Sequence, residues 1–266
     1  MNSDIPAAMR ALIVQRLAAV EGVFGVEILF AIESGSRAWG FGSPDSDYDV
    51  RFIYRHPQPW YVQLTEPRDV IELGIDADLI DLNGWDVRKA LRLSLKSNPA
   101  LYEWLVSPIV YLERGSFRQD ARLLFEHHAS IMRVAAHYWS IARTQWKAEI
   151  DGRDDPKYKK YFYCIRPLLS LQYVIAHRRL PPMNIAELLA ASELSSPVRT
   201  AIEALLFAKR DTPELGRGSR IATIDAWINA ELERNNPRAL GIADTPPDQL
   251  NAGADTLFRA TLGYHG

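Results

Sequence analysis

The sequence predicts an α+β protein, a small mixed β-sheet followed by an all-helical region. Two short apolar runs, residues 26–32 and 49–54, are rich in β-favouring side chains and bounded by glycine, serine and proline. From Trp85 onward apolar residues recur at helical spacing almost to residue 235. At 266 residues, with 47% apolar and 24% charged side chains, the chain is long enough and ordinary enough to bury two modest cores, which we place at 1–112 and 113–266.

Met9, Leu12, Ile13, Leu17 and Val20 predict an amphipathic helix over 5–21. Residues 26–32 read as a strand buried on both faces, delivering the chain into the turn at Gly35-Ser36. A short helix over 36–39 would turn its first amides toward an anion. Residues 49–54 form the second strand, closed by Pro57 and Pro59, and 60–67 are irregular. Strands over 70–73 and 78–82 flank a turn at Gly74 and complete the sheet.

Asp86 opens the first helix of the helical region, and Asn98-Pro99 separates it from a second over 100–106. Longer helices are expected over 130–150 and 157–179, the latter stopped by Pro181-Pro182. Shorter ones follow over 184–191, 197–209 and 219–233. From Asn235 the chain, with Pro237 and Pro246-Pro247, reads as looser.

A formal net charge of −2 argues against nucleic-acid binding by bulk positive charge, so a polyanion would have to bind locally. The single cysteine, Cys164, excludes an internal disulfide and a multi-cysteine zinc site and reads as a small core residue. Residues 1–6 lack a secretory pattern, and no run approaches the roughly 18 apolar residues of a membrane span. The expectation is a soluble cytoplasmic protein with no membrane partner.

The informative stretch is 33–50. A buried strand, Gly35-Ser36, a ten-residue spacer and then Asp47-Tyr48-Asp49-Val50 make one unit. In strand phase Asp47 and Asp49 share a face, close enough to hold divalent cations. Gly35 permits close backbone approach, and Ser36 offers a hydroxyl and an amide to phosphates. Phosphoryl and nucleotidyl transfers need neutralised phosphates and an aligned hydroxyl, which Mg²⁺ and carboxylates supply. A third carboxylate should come from a neighbouring strand. Asp81, inside an apolar run where an ionised group needs compensation, is preferred; Asp78, on the opposite face, is the alternative.

Other glycine motifs fail on the residues. Gly35 and Gly40 have P-loop spacing, but Phe41-Gly42 stand where Lys and Ser/Thr are required, and neither G-x-G-x-x-G nor G-x-S-x-G fits.

Gly35-Ser36 followed by Asp47-Tyr48-Asp49-Val50 resembles the DNA polymerase β-type nucleotidyltransferase superfamily. The longer Gly35-Ser36-Arg37-Ala38-Trp39-Gly40 with Ser46 to Arg51 resembles a branch of predicted bacterial and phage nucleotidyltransferases, some associated with RNA repair, as do Gly84 to Leu91, Asn98-Pro99 and Glu103-Trp104-Leu105. The resemblance is specific over 29–112 and continues more weakly through Lys159-Lys160-Tyr161 and 166–182. It implies a polymerase β-like palm, a two-metal Mg²⁺ site on Asp47, Asp49 and Asp81, a nucleoside triphosphate as substrate and an all-helical partner region. The acceptor stays open among RNA, protein and small molecules.

Lys157, Lys159, Lys160 and Arg166 are interleaved with Tyr158, Tyr161 and Tyr163. Lys160 and Arg166 are candidates to bind the nucleotide, and a solvated helix face is the alternative. Arg37 is a further candidate phosphate contact, and Arg51 could pair with the site or form a structural salt bridge. Arg122 to His127 has the Arg-x4-His spacing of helical ribonucleases, but Arg51 to His56 repeats it in a strand, so the pattern is uninformative. Trp104, Trp139 and Trp146 read as packing residues. The leading reading is an NTP-dependent nucleotidyltransferase; the alternative is a non-catalytic nucleotide-binding or antitoxin-like module, against which the complete carboxylate set counts.

Overall fold

The structure is a computed structural model; it describes residues 5–211, 216–236 and 248–264. These fall into two compact units: 5–38, 46–129 and 248–264 in one, and 39–45, 130–211 and 216–236 in the other. Among the described residues no helix is long and apolar enough to cross a membrane.

The first unit is built on one sheet. Strands β1 (Glu27–Glu33), β2 (Tyr48–Arg55), β3 (Val70–Ile75), β4 (Ile80–Asp86) and β5 (Val110–Glu113) pair in the order β3-β4-β2-β1-β5. Only β2 and β4 run parallel; the other neighbours are antiparallel. Helix α1 (Ala7–Phe24) lays Ile13, Leu17 and Val20 against a core that includes Ile28, Ala31, Val50, Phe52, Leu82 and Tyr111. Its C-terminal turn is closed by Gly25 in the left-handed region, φ 61°.

Short helices connect and cover the strands. Helix α2 (Gly35–Ala38) follows β1, and a 3-10 turn, Gln58–Val62, stands in the stretch read as irregular. Asp86 ends β4 and caps α3 (Val87–Leu95) by accepting from the Arg88 amide at 2.8 Å. Asn98 caps α4 (Pro99–Val106) in the same way, at 2.9 Å. Trp85 stacks on Trp104 at 3.7 Å, and Tyr102 on Phe125 of α5 (Phe117–His128) at 5.4 Å.

In the second unit, α6 (Ile131–Glu149) packs along α7 (Tyr158–His177), with α8 (Ile185–Ala190), α9 (Ser196–Asp211) and α10 (Ala222–Arg234) around them. Tyr138, Trp146, Phe162, Ile165, Leu168, Ile202 and Ile228 are among its buried side chains. Helix α7 ends at His177 rather than 179, because Arg178 adopts a left-handed conformation and closes the last turn. Residues 39–45 belong to this unit: Phe41 stacks on Phe162 at 4.8 Å, and the buried Lys209 ammonium donates to the Ser43 hydroxyl at 2.6 Å.

Four expectations are corrected. Strand β5 was not foreseen, and β4 runs to Asp86 instead of stopping at 82. The tail is not loose throughout: residues 237–247 lie outside the described residues, but α11 (Asp248–Thr261) is a helix packed on α3 and α5. The first unit extends past 112 to 129 and recovers α11, because α5 packs on β1, α4 and α11.

Candidate active site

Strand β1 ends at Glu33, and the next amide, Ser34 N–H, donates to the Asp49 carbonyl at 2.8 Å, tying the start of the turn to β2. Gly35 has φ 58°, a backbone state that favours glycine. Space makes the same demand: a Cβ built there would lie 1.8 Å from Asp49 Oδ2 and 2.7 Å from its Cγ. The Asp49 carboxylate therefore rests directly on the Gly35 backbone. Ser36, one residue on, is buried.

The parallel pairing of β2 with β4 puts Asp49 beside Asp81 and Arg51 beside Asn83. Asp49 and Arg51, two apart on β2, project to the same side. Arg51 Nη2 donates to Asp49 Oδ1 at 2.7 Å and to Asp81 Oδ2 at 2.8 Å, so those oxygens are at most about 5.5 Å apart. Arg51 Nη1 donates to the carbonyls of Asp81 at 2.9 Å and Val50 at 3.2 Å. Arg51 thus forms its ion pairs with the two candidate carboxylates themselves.

Asp81 is 29% exposed in its side chain, not buried as its apolar neighbours suggested: it is the second residue of β4, on the half-buried alternation between the buried Ile80 and Leu82. Asp78 stands apart in the turn before β4, paired with Arg16 at 3.1 Å. Asp47 lies one residue ahead of β2, half-buried on the same alternation as Asp49, with Tyr48 buried between them and Val50 buried after.

A fourth carboxylate, Glu33, escaped the sequence reading. It is fully buried, accepts the Asp49 backbone N–H at 3.0 Å and takes the Tyr111 hydroxyl at 2.6 Å. Burial pushes its carboxyl up to about 8; the Asp49 charge adds to this, while the hydrogen bonds from Tyr111 and the Asp49 amide and the charge of Arg37 oppose it. An acid directly after the apolar run of residues 28–32 was the available signal. Its partner Tyr111 sits on the unforeseen β5.

The basic candidates are placed differently from what was expected. Arg37 is buried; it donates to the carbonyls of Ser46 and, at 3.3 Å, Asp47, and lies 4.1 Å over the Tyr48 ring. That geometry holds the carboxylate segment. In the second unit Arg166 is buried, donating to the Met183 carbonyl at 3.1 Å with its guanidinium 4.5 Å from the Trp39 ring. Lys160, half-exposed, pairs with Glu149 at 3.1 Å beside Tyr163. Cys164 is buried, as expected, as are Trp104 and Trp146; Trp139 is half-buried, its indole N–H on the Leu232 carbonyl at 2.8 Å.

Among the described residues no three His, Cys, Asp or Glu side chains are grouped to hold a metal ion. The donor chemistry nevertheless suits a hard divalent cation, because Asp49 and Asp81 already present one oxygen each to a single cationic nitrogen.

A sequence model of the RNA repair pathway DNA polymerase beta family matches residues 9–260. The chain is 43% identical over 230 residues to a Bacillus subtilis (strain 168) protein, "Uncharacterized protein YcgL", covering 85% of this chain and 86% of that one. A crystal structure of a nucleotidyltransferase-like protein from Exiguobacterium sibiricum 255-15 covers 94% of this chain and 91% of its own, at 13% identity and a TM-score of 0.32.

Proposed function

The chain belongs to the RNA repair pathway DNA polymerase beta family, and from that membership and the site geometry we propose that it transfers a nucleoside monophosphate from a nucleoside triphosphate to an acceptor hydroxyl, releasing pyrophosphate. The observation that carries this reading is the Asp49–Asp81 pair, aligned by strand register and converging on one cation. Asp49 and Asp81 would hold Mg²⁺, joined by Asp47 on the strength of the sequence pattern, in a one- or two-ion arrangement. When bound, the metal neutralises triphosphate oxygens.

The remaining steps fall to the chain itself. Gly35 lets the backbone come close to the phosphates, with Ser36 next to it. Asp81 orients the acceptor hydroxyl and takes up its proton as the oxygen attacks the α-phosphorus. Glu33 fixes the Asp49 backbone through its amide. Arg37 supports the segment that carries Asp47 through the Ser46 and Asp47 carbonyls. The family description favours an RNA end as acceptor, and the single buried cysteine accords with a cytoplasmic setting.

The test is transfer of label from each nucleoside triphosphate, with Mg²⁺, to RNA, protein and small-metabolite fractions in parallel. Asp47→Ala, Asp49→Ala and Asp81→Asn should each keep the far-ultraviolet spectrum and lose transfer by at least about 10²-fold. Full transfer by Asp49→Ala would remove the assignment. One observation favours a second reading, a nucleotide-sensing module: Arg51 already compensates the carboxylate pair. Stabilisation by a triphosphate without metal and without turnover would favour it.

A further inference from the structure

Arg51 stands where a metal-binding carboxylate pair would place its cation. Its Nη2 takes one oxygen from Asp49 and one from Asp81, and its Nη1 holds the Asp81 and Val50 carbonyls. The Arg51 side chain is 17% exposed, between Asp49 and Asp81 side chains 21% and 29% exposed, so solvent screens the three charges only in part. Two carboxylates this close repel, and the guanidinium holds them together.

A divalent ion that takes Asp49 Oδ1 and Asp81 Oδ2 must compete with Nη2 for the same two oxygens. The carbonyl partners of Nη1 can stay, but the guanidinium then loses both of its anions while a second positive charge arrives beside it. Metal alone is therefore opposed by Arg51. A triphosphate reverses the balance, because its oxygens suit the planar fork of guanidinium donors.

We propose that Arg51 is an exchangeable counter-cation: it locks Asp49 and Asp81 together in the metal-free protein and passes to the triphosphate when a divalent ion takes the pair. Metal and triphosphate then bind cooperatively, each raising the affinity for the other by the same factor. This rests on reading the pair as the nucleotidyl-transfer site. Arg51 is a positioning residue until it moves and a triphosphate contact afterwards.

Mn²⁺ binding to the full chain, read from the free-ion paramagnetic resonance signal, tests the exchange without turnover. With the wild-type chain, Mn²⁺ alone should bind weakly and tighten by at least about tenfold with a non-hydrolysable triphosphate analogue. Arg51→Met should bind Mn²⁺ alone at least about tenfold more tightly than wild type and lose most of the gain from the analogue. It should also melt lower without metal and be restored by Mn²⁺. Arg51→Lys, whose single nitrogen cannot hold both carboxylates and both carbonyls, should fall between, and it carries the test if the methionine variant does not fold.

Mn²⁺ binding by the Arg51 variants no tighter than by wild type, or an unchanged gain with the analogue, overturns the proposal. Asp49→Asn separates the two levels of argument. If it abolishes Mn²⁺ binding while Arg51→Met leaves it unchanged, the site stands and the exchange falls. If Mn²⁺ binds no protein, with or without analogue, the site reading falls with it.

Discussion

Replacing Gly35 with alanine tests the contact between the turn after β1 and the carboxylate pair. Two costs are built in. A non-glycine residue at φ 58° is disfavoured by roughly 1–2 kcal/mol. The new methyl would also sit 1.8 Å from Asp49 Oδ2, so the carboxylate must retreat by about 1 Å or more to reach a tolerable separation. Its other oxygen is 2.7 Å from Arg51, so that retreat disturbs the pair, worth about 0.5–1 kcal/mol for partly exposed groups. The expected total is about 1.5–3 kcal/mol. Gly25→Ala supplies the control, since Gly25 has φ 61° and nothing within 4 Å of an added Cβ. It should lose only the conformational part. Urea unfolding of both variants, of Asp49→Ala and of the Gly35→Ala/Asp49→Ala double variant measures the difference. In the double variant the clash is gone, so the losses should fall short of additivity by about 1 kcal/mol. Transfer by Gly35→Ala should drop by about 10²-fold, the usual consequence of a 1 Å misplacement. Equal losses for Gly35→Ala and Gly25→Ala, with additive behaviour in the double variant, would refute the contact.

Two further outcomes concern the supports. Burial pushes the Asp86 carboxyl up to about 6 from an ordinary value of 3.8, against the opposing hydrogen bonds from Tyr61 and the Arg88 amide. The folded state then holds a proton that the unfolded state has released, so the contribution of Asp86 to stability is fullest below about pH 4 and falls by roughly 3 kcal/mol as pH rises through 6. Asp86→Asn, which can still cap α3, should remove that slope, read as the wild-type-minus-variant unfolding free energy between pH 3.5 and 7.5. Ser43→Ala removes the hydroxyl 2.6 Å from the buried Lys209 ammonium and should cost about 1.5–3 kcal/mol in urea unfolding; a loss under ~0.5 kcal/mol would show that the bond contributes little.

The parts of the molecule readable from sequence are those set by local pattern. The period of two around Asp49 and Arg51 put both on one side of β2, and the apolar run before Gly35 made β1 evident. What local pattern could not show came from distant partners. Val110–Glu113 is four residues long and becomes a strand only by pairing with β1. Asn83-Gly84 looks like a turn, yet parallel pairing with β2 carries β4 through both. Without β5, the link from Glu33 to Tyr111 had no visible basis. Pro246-Pro247 read as a breaker, and α11 begins directly after it. The protein contacts of Arg37 and Arg166 were hidden for another reason: local pattern shows a charge but not the carbonyls and aromatic rings against which both guanidiniums are buried.

The return of residues 248–264 to the sheet unit sets an order of events during synthesis. Sheet, α3 and α5 are complete in sequence by residue 129, but the helix that covers α3 and α5 is made only after the whole helical unit. While the ribosome adds that intervening stretch, the surface destined for α11 stays open, a state in which nascent chains are exposed to aggregation and chaperones. The part of the protein begun first is therefore the part finished last.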